Sequence, residues 1–214
     1  MNARLHHCFS LADFLAWENV QPERHEFHRG EVFAMTGPRR VHGVVVGNLH
    51  AALHRELSGA PCRAFAESMK VQIGDDTILY PDVFVTCSKA DLRTDMIFRE
   101  PLVVVEVLSP SSERYDRGAK FALYRRLASL REFVLIDPDS RAVEAFRRSD
   151  AGDWTLRDLS GTGTLAMPAI GFEMPLAKLF DGVESPPEAE VGVEPPPEAE
   201  AGVDGADGAA TAGG

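Results

Sequence analysis

Two strand-forming runs each carry one carboxylate where an apolar side chain would be expected, and this narrows the folds open to the chain. Asp82 interrupts Ile78-Leu79-Tyr80-Pro81-Asp82-Val83-Phe84-Val85, and Glu106 interrupts Pro101-Leu102-Val103-Val104-Val105-Glu106-Val107-Leu108. A strand apolar on both faces belongs inside a sheet that is covered on both sides. A lone carboxylate there costs roughly several kcal/mol in lost hydration unless it is paired or bound to a cation. The residues between the two carboxylates, about two dozen, suffice for a turn and a return strand, so the strands can be neighbours. Two such residues side by side point to a divalent-metal site. The competing reading is a hydrogen-bonded or Arg-paired carboxylate at a strand end.

The rest of the chain reads as mixed α/β. Ser10 caps a short helix to Glu18, with Asp13 three residues on. Residues 25–35 form two short strands joined at Arg29-Gly30. After Thr36-Gly37-Pro38, Val41, Val44, Val45, Leu49, Ala52, Leu53 and Leu57 recur at helical spacing up to Ser58-Gly59. Arg63 to Ile73 and Ile78 to Cys87 read as two strands of an antiparallel hairpin turning at Gly74-Asp75-Asp76. Leu102 to Ser109 is a third strand, Gly118 to Leu127 a helix and Glu132 to Asp137 a fourth strand. A helix between the third and fourth strands allows them to pair in parallel. Ala142 to Arg147 and Trp154 to Leu159 extend the sheet as a hairpin.

The formal net charge of −11 is concentrated at one end. Residues 181–214 hold nine acids and no Lys or Arg, which leaves −2 for residues 1–180. That segment repeats Pro, Glu and Ala and then fades into Gly and Ala, so a folded domain over 1–180 and a disordered acidic tail over 181–214 are expected. The folded part carries local basic clusters, Arg39-Arg40 and Arg114 to Arg131, that could touch phosphates. No run approaches the roughly 18 apolar residues of a membrane span, and no export signal is visible, so cytoplasmic residence without a membrane partner is expected. Cys8, Cys62 and Cys87 are few and widely spaced, which favours three free thiols over a disulfide framework.

The ordered set of short motifs resembles the restriction-endonuclease-like PD-(D/E)xK fold, and more closely the Uma2 family. It comprises His25-Glu26 with Gly30-Glu31-Val32, Met35-Thr36-Gly37-Pro38 leading to His42, and Tyr80-Pro81-Asp82-Val83. It continues through Val104-Val105-Glu106-Val107-Leu108-Ser109-Pro110, Tyr115-Asp116-Arg117-Gly118 with Lys120, and Glu132-Phe133-Val134-Leu135-Ile136-Asp137-Pro138. The resemblance implies an α/β fold with a mixed β-sheet flanked by helices and an N-terminal hairpin. It implies a DNA endonuclease, with DNA as partner and a homodimer as one way to address both strands. Asp82 and Glu106 would hold Mg²⁺ or Mn²⁺, which takes oxygen ligands and activates water for in-line attack on a phosphodiester.

One position departs from that pattern. The lysine that ordinarily follows the glutamate by two residues is replaced by Leu108. Lys120 is the best substitute as the third catalytic residue, its alternative being an i,i+4 ion pair with Asp116 on a solvated helix face. Lys70 reads as a surface residue, and Glu67 could add a carboxylate. His42 is a candidate for phosphate or metal contact or a structural histidine, and Glu31 is a turn-flanking charge that could point inward. A catalytically inactive nucleic-acid-binding or assembly module with the same fold is the competing function.

Overall fold

The strand Pro101–Val107 shows how the layers are organised, because its side chains alternate between two separate apolar cores. The computed structural model describes residues 4–5, 9–35, 37–109, 115–160 and 163–184. The elements follow as β1 (Arg4–Leu5), α1 (Leu11–Glu18), β2 (His25–His28), β3 (Glu31–Ala34), α2 (Arg40–Glu56), β4 (Arg63–Ala66), β5 (Lys70–Ile73), β6 (Thr77–Leu79) and β7 (Val83–Thr86). Then come β8 (Ile97–Phe98), β9 (Pro101–Val107), a π-helical turn (Asp116–Lys120), α3 (Phe121–Tyr124), β10 (Glu132–Asp137), β11 (Ala142–Arg148) and β12 (Trp154–Asp158). The described part closes with β13 (Thr164–Met167), β14 (Phe172–Pro175) and α4 (Leu176–Leu179).

The strands form two mixed six-stranded sheets rather than the single sheet expected, together with the small β13–β14 hairpin. One runs β1-β3-β2-β6-β5-β8 and the other β12-β11-β10-β9-β7-β4. Val103, Val105 and Val107 of β9 face α2, where Val45, Val46, Leu49, Ala52 and Leu53 present the apolar stripe of that helix. Val104 and Leu108 face the other way, toward Val71, Ile73 and Leu79 of the first sheet. Phe14 of α1 covers the far side of the first sheet, against Phe27, Val32 and Ile78. The order of layers is therefore α2, second sheet, first sheet, α1. Each buried Val or Leu contributes roughly 1.5–3 kcal/mol. β9 reads as a nearly continuous apolar run because both its faces are covered.

The expected long hairpin is bent in two. Its outer ends pair as β5–β6 in the first sheet, and its base pairs as β4–β7 in the second. At the bend Glu67 and Ser68 take positive φ values of 40° and 56°, and the Glu67 amide donates to the Asp82 carbonyl at 3.0 Å. Left-handed backbone at two successive non-glycine residues breaks the ladder, which propensity alone could not reveal. Asp82 consequently lies not inside a strand but just ahead of β7, at the crossing between sheets.

Three other expectations change. The helix expected over 118–127 is a π-helical turn followed by the single turn of α3. The cysteines near the base of the bent hairpin are not free thiols: Cys62 and Cys87 form a disulfide. They flank the register pair Arg63↔Thr86, so pairing of β4 with β7 brings together two residues separated by 25 positions. Packing also runs past the expected boundary at 180, since Asn48 Nδ2 donates to the Leu179 and Asp181 carbonyls and Val183 is buried. Residues 185–214 of the acidic tail lie outside the described part. The crossover behaves as expected, with β9 and β10 paired in parallel and Glu106 beside Leu135. Among the described residues no helix is long and apolar enough to cross a membrane.

Candidate active site

Continuing the β7–β9 register by one residue from Val83↔Val105 places Asp82 beside Glu106. Glu106 projects from the face of the second sheet that looks toward the first, on the side of Val104 and Leu108. The Val107 amide donates to Asp82 Oδ2 at 2.6 Å, and His42 Nε2, in the first turn of α2, lies 3.2 Å from the same oxygen. Glu106 is only 2 % exposed. Its Oε1 accepts from the Tyr124 hydroxyl at 2.8 Å, and its Oε2 lies 3.3 Å from Lys120 Nζ.

Lys120 reaches Glu106 because the π-helical turn directs both Asp116 and Lys120 into the interior, and such turns occur often at functional sites. The ammonium lies 3.0 Å from Glu26 Oε1 and 3.6 Å from Asp116 Oδ1. The i,i+4 pair with Asp116 exists, but it is buried rather than on a solvated face. Leu108 shares the face of Glu106, where it packs in the core between the sheets. The usual lysine position thus serves packing, and the cation arrives from the crossover instead.

Glu26 was not singled out by sequence. It lies on β2, one residue from Phe27, so strand alternation turns it away from the α1 side and toward the second sheet. That alternation was the available signal, and the contact with Lys120 across 94 positions was not legible. Tyr124 was missed as a hydrogen-bond donor because its place in an apolar helix pattern accounts for it fully.

The other candidates lie elsewhere. Lys70 is buried rather than on the surface, but its ammonium meets Asn19 Oδ1 at 3.3 Å and lies over the Tyr80 ring, whose aromatic face offsets part of the burial cost. Glu67 is exposed at the bend, and its charge is felt by His42. Glu31 is half-buried at the start of β3, with its charge near His28.

The cluster of Asp82, Glu106, Glu26 and Asp116 holds more negative charge than Lys120 and His42 can offset. Burial holds Glu106 well above the ordinary carboxylate range; Lys120 pulls it down, but Asp82, Asp116 and Glu26 push it further up. Burial likewise raises Glu26 despite Lys120. For Lys120 burial opposes the charge, yet Glu106, Glu26, Asp116 and Asp82 outweigh it and keep the ammonium protonated well above its usual range. Burial also opposes charge on His42, and Asp82, through its hydrogen bond and its charge, more than compensates.

These directions fix a pH dependence. A raised carboxyl or imidazole stabilises the fold while it is protonated. The contributions of Glu26 and Glu106 are therefore complete below their ordinary value of 4.5 and shrink as pH rises through the higher folded values. That of His42 is complete below 6.5 and is lost the same way. The metal-free protein is expected to become less stable as pH rises above 6.5, read as a falling urea midpoint. A flat or rising midpoint would show the cluster to be better solvated than its burial indicates.

Excess buried oxygen charge suits a hard cation. Among the described residues no three His, Cys, Asp or Glu side chains converge to cage a metal ion. Mg²⁺ asks for less, one or two carboxylates completed by water and substrate oxygens. Asp82 and Glu106 have the chemistry to provide that much, and their neighbours Glu26 and Asp116 would feel the added charge.

The family model of Uma2, described as "Putative restriction endonuclease", matches residues 11–177. The chain belongs to the Uma2 family. A Synechocystis sp. protein described as uncharacterized is 33% identical over 175 residues, covering 81% of this chain and 92% of its own. A second from the same organism, also described as uncharacterized, is 29% identical over 155 residues, covering 71% and 88%. Among solved structures, a crystal structure from Anabaena variabilis, described as a putative nuclease belonging to DUF820, superposes with a TM-score of 0.67. It is 19% identical and covers 82% of this chain and 99% of its own, a likeness of fold. The Uma2 match takes in Glu26, His42, Asp82, Glu106, Asp116, Lys120 and Tyr124 together.

Proposed function

We propose that the protein is a divalent-metal-dependent endonuclease that hydrolyses DNA phosphodiester bonds, with Asp82 and Glu106 as metal ligands and Lys120 as the catalytic lysine. The observation that carries this reading is the convergence of Lys120 from the π-helical turn, Glu106 from β9 and Asp82 from just ahead of β7 in a largely buried cluster short of positive charge. A bound Mg²⁺ or Mn²⁺ would supply Lewis-acid polarisation of a phosphoryl oxygen and lower the pKa of a water. The protein's own groups do the remaining work. The Val107 amide and His42 hold Asp82 in one rotamer, Tyr124 orients Glu106, and the permanently charged Lys120 offsets negative charge that grows as the phosphodiester is attacked. DNA is the partner in this reading, two copies of the chain would address its two strands, and the cytoplasm is where the work would be done.

The packed Leu108 favours a second reading, a nucleic-acid-binding or assembly module that has kept the fold without the reaction. Incubating supercoiled and single-stranded DNA with the protein and Mg²⁺ or Mn²⁺ separates the two. Cleavage that disappears in Asp82→Asn and Glu106→Gln is the expected result. DNA retention by an uncleaving parent, with no metal-dependent heat in calorimetry, would replace the nuclease reading with the module.

A further inference from the structure

We propose that Glu26 is a positioning residue that gives Lys120 a second seat, so that the lysine can release Glu106 to a metal ion; this rests on the metal-dependent reading above. Lys120 touches Glu106 at 3.3 Å and Glu26 at 3.0 Å, from opposite sheets. Without a metal, the ammonium offsets part of the negative charge of both by lying between the two. Glu106 then has both oxygens engaged, one by Tyr124 and one by Lys120.

A divalent ion arriving beside Asp82 needs a Glu106 oxygen and repels the ammonium. The lysine cannot move to solvent cheaply, because it is 7 % exposed and enclosed by both sheets. Glu26 lies on the side away from β9 and keeps the ammonium paired while Glu106 turns to the metal. Asp116, at 3.6 Å and four residues back along the same turn, moves with the lysine and cannot draw it toward the other sheet. Glu26 therefore acts on metal affinity through Lys120, without being a ligand itself.

The test is a double-mutant cycle on the full chain, read by calorimetric titration with Mn²⁺ rather than by cleavage. Glu26→Gln, which keeps the shape and removes the charge, is expected to weaken Mn²⁺ binding about tenfold, in the range found when groups supporting a metal ligand are removed. Lys120→Met removes the competing cation and is expected to tighten binding. Glu26→Gln added to Lys120→Met is expected to have no further effect. A tenfold weakening in that background would make Glu26 a direct ligand and overturn the proposal. So would unchanged affinity in Glu26→Gln alone, which would leave the metal reading standing. If the parent takes up no Mn²⁺, both readings fall together. Should the Lys120 variants not fold, a crystal structure of the parent with Mn²⁺ decides the matter. Nζ retained on Glu26 and withdrawn from Glu106 supports the proposal; Glu26 on the metal, or Lys120 still on Glu106, refutes it.

Discussion

Replacing Lys120 with methionine is expected to lower folding stability by about 3–5 kcal/mol, the cost typical of removing one partner from a buried ion pair. Methionine fills nearly the same space, so the loss is electrostatic. Glu26, Glu106 and Asp116 would face one another in the interior with their shared cation gone. They can respond only by taking up protons, so the penalty should be smaller at pH 5 than at pH 8. Adding Glu106→Gln, which removes one of the stranded charges, should recover part of it. Urea denaturation of the single and double variants measures both effects. A loss below about 1 kcal/mol would be that of a solvated pair and would contradict the burial described here.

Reduction of Cys62–Cys87 should cost about 3–4 kcal/mol, the chain-entropy value for a loop of this length. The bridge closes the base of the bent hairpin, so the reduced protein should lose stability at β4 first, because β4 is the edge strand of its sheet. The urea midpoint should fall when a thiol reductant is added, and Cys62→Ser combined with Cys87→Ser should abolish the response. Denatured, unreduced protein should show one reactive thiol, that of Cys8, out of three cysteines. Three reactive thiols would mean that the bridge does not form in solution. In any compartment that keeps thiols reduced, the same loss would apply.

Much of the fold was legible because it rests on local rules. Ser10 accepts from the Asp13 amide at the start of α1, the apolar stripe of α2 faces a sheet, and a crossover joins parallel strands, as spacing and capping residues require. The two carboxylates were legible for a related reason, since each stands among residues that exclude water. What remained hidden depended on register or on rare backbone geometry. The left-handed pair at Glu67 and Ser68 divides one apparent hairpin between two sheets, and neither residue type announces it. The disulfide follows from that register, and the cysteine spacing alone carried no sign of it. Lys70 and Glu26 were misjudged for opposite reasons. A charged residue on a short strand was taken as solvated in the first case and passed over in the second, and only the stacking of the sheets shows that both are inside.

That stacking has a mechanical consequence. Glu26 hangs from one sheet and Glu106 from the other, while Asp82 sits on the fold line between them. Sliding the sheets past each other by an ångström would change how Lys120 is shared between Glu26 and Glu106 without breaking a single ladder hydrogen bond. A substitution in the apolar layer between them, at Val71 or Leu135 for instance, could detune the chemistry of the cluster while leaving the secondary structure intact.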